Sequence, residues 1–164
     1  MLVVGGTGML AGLVAALAER GDAVTVVARS PRPLPERATQ LALDYRDSDR
    51  LRRALADAVR ERGPIELAVC WIHTDAPEAP RVVGEAVAPG GRLVQVFGTQ
   101  VWPLASVPEG VEYAQVLLGA VREGSASRWL TDAEISTGVL AAVDAGEPVA
   151  VVGQRLRAPT ERRA

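Results

Sequence analysis

The sequence predicts one doubly wound α/β domain, a parallel sheet of about seven strands with helices on both faces. Three observations carry this expectation. Short β-branched runs alternate with stretches of helical spacing almost from end to end, the pattern of strands joined by helical crossovers. The run "IELAVCWI" at 65–72 is apolar throughout, as a central parallel strand covered on both faces must be. The 164 residues, 48% apolar and 23% charged, suffice for one sizeable core but are short for two.

Each element has a local reason. Leu2 to Val4 is a strand stub, short enough to be consistent with a start further upstream. Leu10 to Arg20 has helical spacing, and Gly21 stands where a helix stops. Ala23 to Ala28 is the second strand, and the Pro-rich link "SPRPLPE" leads to a third over Thr39 to Leu43. Asp47 or Ser48 can cap a helix in which Leu51, Leu55 and Val59 share a face, and Gly63-Pro64 ends it. After the strand at Ile65 to Ile72 comes a helix over Glu78 to Ala88, stopped by "PGG", then a fifth strand over Arg92 to Phe97. Val111 to Val121 reads as one strand buried on both sides. Thr131 and Glu134 form a capping box for a helix carrying Ile135, Val139, Leu140 and Val143, with Gly146 as its stop. Residues 148–153 are the seventh strand, setting the domain at 1–153, and 154–164 is a polar tail whose four arginines read as a solvated end.

Composition excludes several classes of function. A formal charge of −2 gives no reason to expect a nucleic acid or an anionic membrane as partner. The lone Cys70 excludes an intramolecular disulfide, and its place inside an apolar run reads as core. Neither a signal segment nor an apolar run near 18 residues is visible, so a cytoplasmic protein is expected. One histidine and one cysteine argue against a transition-metal centre. All 18 basic residues are arginine and asparagine is absent, which removes any chemistry needing a lysine ammonium or an asparagine amide.

The stretch "LVVGGTGMLAG" concentrates the chemistry. Gly6-Thr7-Gly8-Met9-Leu10-Ala11 fits the G-x-G-x-x-G/A pattern at the first strand-to-helix turn, and Gly5 and Gly12 extend it. Bare N–H groups at a helix start favour a diphosphate, and glycine lets the backbone approach it, with a small residue at 11 or 12 for close helix–strand packing. The competing reading is a purely structural turn. At the end of the second strand, where a carboxylate would bind the ribose of NAD, the chain has Arg29-Ser30-Pro31-Arg32. Two guanidinium groups suit a 2′-phosphate, so NADP(H) is expected over NAD(H), unless these arginines are ordinary solvated charges.

"VVGGTGMLAG", "VTVVARS" and "LALDYRD" together resemble the short-chain dehydrogenase/reductase superfamily over roughly residues 2–100, in an atypical form with shortened glycine motifs. The resemblance implies a Rossmann fold with a nicotinamide dinucleotide held by Gly5, Gly6, Thr7, Gly8, Met9 and Leu10, with Arg29, Ser30 and Arg32 at the adenosine end. It also implies that Asp44 contacts the adenine, although a turn carboxylate is the alternative. Where that family has N-N-A-G after its fourth strand, this chain has Trp71-Ile72-His73-Thr74-Asp75-Ala76, with Trp71, Ile72 and His73 against the cofactor. Thr99 lies where the family's serine would be, and Tyr113 follows at about the family's spacing, but Leu117 replaces the lysine of Y-x-x-x-K. "YAQVLLGAV" reads as a strand, so the catalytic helix is expected to be absent and Tyr113 to be a packed aromatic. Family members pair through helices four and five, and losing one of them leaves a homodimer open.

His73, the only histidine, sits at the carboxyl end of a central strand and, with Thr99, is the candidate catalytic residue; the alternative is a structural histidine. Two functions follow: an NADP(H)-dependent oxidoreductase on a small carbonyl-type substrate, or a non-catalytic NADP(H) sensor. A methyltransferase reading draws on "VAPGGRLVQV" but lacks the acidic residue that should end strand two.

Overall fold

A computed structural model describes residues 1–98, 101, 103–104, 106–124 and 126–155. Strands β1 (Leu2–Val4), β2 (Val24–Ala28), β3 (Ala38–Ala42), β4 (Ile65–Trp71), β5 (Val87–Phe97), β6 (Glu112–Leu118) and β9 (Val149–Val152) form one sheet. Their order is β3-β2-β1-β4-β5-β6-β9, and every neighbouring pair is parallel. The order reverses between β1 and β4, opening a crevice outside their carboxyl ends, where doubly wound folds hold ligands.

Helices α1 (Ala11–Glu19) and α4 (Asp132–Ala145) pack on one face, where Leu13, Val14, Leu17, Ile135 and Val139 meet Val3, Val26, Val69, Val94 and Val116. Helices α2 (Ser48–Arg62) and α3 (Ala79–Ala86) cover the other, with Leu51, Leu55, Val82 and Val83 on Leu2, Val4, Val27, Ala68 and Cys70. The alternation along β1 and β4 is what a strand's period of two produces between two helical layers. Cys70 is fully buried in this core, and burial pushes its thiol pKa well up, which keeps it inert.

The predicted caps form. The Asp47 side chain accepts from the Arg50 amide at 2.9 Å and opens α2, and Gly63 closes it. Thr131 and Glu134 bond reciprocally, and Gly146, at φ 72°, ends α4 in the left-handed conformation. Arg128 reinforces that box with a two-pronged contact to Glu134 at 2.8 and 3.0 Å. The Arg128 guanidinium, with the Thr131 amide and hydroxyl, lowers the Glu134 pKa to about 2. A carboxylate depressed on folding stabilises the fold above its ordinary pKa, and that contribution disappears as pH falls through the folded value. Thermal unfolding followed from pH 6 down to pH 2 is therefore expected to fall less steeply below about pH 4.5 in Glu134→Gln than in the parent.

Three expectations are corrected. The helix placed at Glu78 to Ala88 ends at Ala86, and "PGG" lies inside β5 rather than before it. Val87 already pairs with Ile65, and the register shifts before Leu67 pairs with Arg92, so the glycines form a bulge at the strand's start. The strand placed over Val111 to Val121 breaks at Gly119, and β7 (Ala120–Glu123) turns away to pair antiparallel with β8 (Ala126–Trp129). A Cβ at Gly119 would collide with the Gln154 carbonyl, so the chain leaves the sheet at a residue without one. Gln154, counted with the tail, bridges Ala120 at the root of this hairpin. Finally, β6 is not covered on both sides: Ala114, Val116 and Leu118 are buried, whereas Tyr113, Gln115 and Leu117 are half-buried. Among the described residues between β5 and β6 there is no helix.

Candidate active site at the carboxyl ends of the strands

The glycine turn owes its shape to its neighbours. Gly5 has φ 79°, and a Cβ there would stand 2.7 Å from the Trp71 carbonyl oxygen on the adjacent strand. A Cβ at Gly6 would stand 3.0 Å from side chains of Val3, Val14 and Val26, so a glycine there permits the close approach of α1 to the sheet. Gly8 has nothing within 4 Å and faces open space. A Cβ at Gly12 would stand 2.9 Å from the Ser136 side chain of α4, so its smallness serves helix–helix contact. Ser136, itself buried, donates to the Met9 carbonyl at 2.7 Å and ties α4 to the turn. The Ala11 amide donates to the Gly8 carbonyl at 2.9 Å, but no side chain caps α1 at Leu10 and no acidic residue lies in its first turn to oppose an anion at the positive end of its dipole. Leu10 is fully buried, so only its backbone can face a ligand. Thr7 and Met9 are half-buried on the same turn.

At the end of β2, Arg29, Ser30 and Arg32 are exposed. The loop is held by Gln40 of β3, whose Oε1 accepts from the Arg32 amide at 3.0 Å and whose Nε2 donates to the Ser30 carbonyl at 2.7 Å. Among the described residues neither guanidinium of Arg29 or Arg32 forms an ion pair, whereas arginines 20, 46, 52, 60, 81 and 128 all do. Asp44 accepts from the Arg46 amide at 3.1 Å, as a turn carboxylate does, and Arg46 also reaches Asp75 at 3.1 Å. The adenine contact implied by the resemblance thus has to compete with a turn role already filled.

Trp71 links this turn to a second feature. It lies beside Gly5, its indole reaches toward Gly98 at the end of β5, and it lines a cavity of about 660 Å³. Ile72, Pro80, Phe97, Pro103 and Leu104 supply apolar walls, and His73, Thr74 and Gln95 the polar groups. His73 is exposed at the mouth, its amide donating to the Tyr45 hydroxyl at 3.4 Å and its ring edge-on to Trp71 with centroids 6.0 Å apart. Trp129, on the hairpin that no sequence period announced, brings its indole within 3.9 Å of where a Gly98 Cβ would stand. Thr99 lies outside the described residues. Tyr113, expected only to pack, donates its hydroxyl to Gln95 Oε1 at 2.6 Å, and burial raises its pKa above the usual phenol value. Among the described residues no cluster of three or more His, Cys, Asp or Glu side chains could hold a metal, and no helix is long and apolar enough to cross a membrane.

Gln40, Gln95, Trp129 and Ser136 were not read from the sequence as site residues. Gln95 alone left a signal, a polar residue inside the apolar run of a central strand.

No family model matches the chain, and no significant match stands among curated proteins. Solved structures do match. A short-chain dehydrogenase/reductase from Serratia marcescens BCRC 10948 superposes with TM-score 0.67 at 19% identity, over 94% of this chain and 94% of that one. A short-chain dehydrogenase from Streptomyces avermitilis gives TM-score 0.70 at 17% identity, over 93% of this chain and 86% of that one. A metagenomic short-chain oxidoreductase solved in complex with NADP gives 0.67 at 16% identity, over 96% and 97%. The chain therefore has the fold of the short-chain dehydrogenases/reductases, a parallel seven-stranded α/β sheet of the Rossmann kind.

Proposed function

We propose that this chain is a member of the short-chain dehydrogenase/reductase superfamily that binds NADP(H) and reduces a small carbonyl-type substrate without the family's Tyr-x-x-x-Lys pair. The observation that carries this reading is the single side chain, Trp71, shared between the glycine turn and the cavity. A ligand on the turn and a ligand in the cavity would be neighbours.

The residues present fit the dinucleotide. Open space at Gly8 and the uncapped start of α1 would receive the diphosphate. Arg29 and Arg32, on the loop held by Gln40, would take the 2′-phosphate, and no carboxylate follows β2 to favour NADH. The Trp71 indole offers a flat surface beside Ile72 at the end of β4. When bound, the nicotinamide supplies a hydride to the carbonyl carbon. His73, which lines the cavity, would deliver the proton that the product hydroxyl needs. Trp71 and the apolar walls would shield part of the reacting end from water.

Calorimetry with NADPH, followed by its oxidation with a panel of aldehydes and ketones, tests the reading. His73→Ala is expected to lower turnover about 100-fold or more, the scale of general acid catalysis, and by a larger factor than it weakens NADPH binding. Tight NADPH binding with no turnover on any carbonyl would favour the sensor instead, and absence of binding would end both.

A further inference from the structure

We propose that Gln95 is the hydrogen-bond donor of the cavity, that Tyr113 orients it, and that the pair selects small uncharged ligands bearing a carbonyl oxygen on an apolar body. This rests on the cavity described above and deepens the reductase reading by naming the class of ligand.

Gln95 is an anomaly in its setting. It stands in β5 between Val94 and Val96, is 4% exposed, and lines the cavity. A buried primary amide is costly unless its polar atoms are matched. Its Oε1 is matched by the Tyr113 hydroxyl at 2.6 Å, and that hydroxyl accepts in turn from Gln115 Nε2 at 3.4 Å. These three residues lie on neighbouring strands at paired positions, Leu93 with Tyr113 and Gln95 with Gln115, so the sheet register itself assembles the relay. The Tyr113 bond fixes the amide with its oxygen toward β6, which leaves the two N–H groups as its unengaged donors. No described residue accepts from Gln95 Nε2, and Gln95 is among the residues that line the cavity, which is why we assign that nitrogen to a ligand there.

The rest of the lining narrows the ligand. No arginine, aspartate or glutamate is among the described lining residues, and His73 is the only titratable group there. A carboxylate or phosphate would lose its hydration to a largely apolar wall without a fixed countercharge. A ketone or aldehyde oxygen accepts one or two neutral hydrogen bonds and needs no countercharge. About 660 Å³ is within the usual range for small-molecule pockets, with the predominantly apolar lining typical of them.

The test uses the full chain without cofactor, and three probes of similar shape: acetophenone, ethylbenzene and benzoate. Binding is measured by saturation-transfer NMR and calorimetry. Acetophenone is expected to bind about fivefold more tightly than ethylbenzene, the net gain of one neutral hydrogen bond, and benzoate more weakly than both. Gln95→Met should bring the acetophenone-to-ethylbenzene ratio to about one while ethylbenzene affinity is kept. Tyr113→Phe, which frees the amide to rotate, should lower the ratio with ethylbenzene affinity unchanged, a shift that mere packing of the ring would not produce. Tyr113→Phe alone decides the matter if Gln95→Met does not fold. A ratio near one in the parent, a ratio that survives both substitutions, or benzoate bound as tightly as acetophenone would overturn the proposal. A preserved acetophenone preference in a chain that takes up no NADPH would remove the reductase reading and leave this one standing.

Discussion

Gly5→Ala is expected to lower the melting temperature by about 8 °C or more and to abolish dinucleotide binding, the largest effect of any single methyl group in the turn. Two costs combine. Alanine at φ 79° sacrifices about 1–2 kcal/mol. Its methyl would also stand 2.7 Å from the Trp71 carbonyl oxygen, a backbone atom that cannot retreat without disturbing the pairing of Val4 with Cys70. Together these approach about 4 kcal/mol, the range of exceptional single mutations, in a domain whose whole stability is on the order of 5–15 kcal/mol. For a chain of this size each kcal/mol shifts the midpoint by about 2–4 °C. Gly8→Ala is the paired control. Nothing stands within 4 Å of its new methyl and its φ is not positive, so the melting temperature should stay within about 2 °C. If a diphosphate occupies that space, NADPH affinity falls all the same. Calorimetric scans and NADPH titrations of both variants read the two effects apart, and an unchanged melting temperature in Gly5→Ala would contradict the geometry of the turn.

The second large effect concerns the choice of cofactor. Arg29→Ala with Arg32→Ala is expected to weaken NADPH binding about 10- to 100-fold and to leave NADH binding within about threefold. Hydrogen bonds to a charged group contribute about 1.5–3 kcal/mol each, and a fold of ten corresponds to about 1.4 kcal/mol. The loop should survive the change because Gln40 holds it through backbone atoms, at the Arg32 amide and the Ser30 carbonyl. Both side chains are exposed, so added salt should erode the parent's preference for NADPH. Equal affinities for the two cofactors in the parent would remove the role assigned to both arginines.

The elements that were legible share one property: their causes are local. β-Branched runs, the Asp47 cap, the Thr131–Glu134 box and the stops at Gly63 and Gly146 each depend on residues a few positions apart. That Glu112–Leu118 is a strand was also legible, because "YAQVLLGAV" has a strand's composition. The break at Gly119 was not. It depends on the Gln154 carbonyl, 35 positions away, and without that contact Val111 to Val121 reads as one strand. The placement of "PGG" was misjudged for a similar reason, since Val87 becomes strand only by pairing with Ile65.

The candidate site divides along the same line. The sequence by itself determined the parallel α/β order, the glycine turn at the first crossover and the arginines where a carboxylate would otherwise stand. These follow from periodicity and from which residue types a turn or an anion tolerates, and both act over one or two turns of chain. Only the tertiary structure decided that Ser136 would hold the turn from 127 positions away, that Gln40 would brace the arginine loop, and that Tyr113 would orient Gln95. Trp71 joins the turn to the cavity in the same way, through side chains brought together by sheet register and layer packing. Register is set by how whole strands bury their faces, a sum over many residues that no short stretch contains.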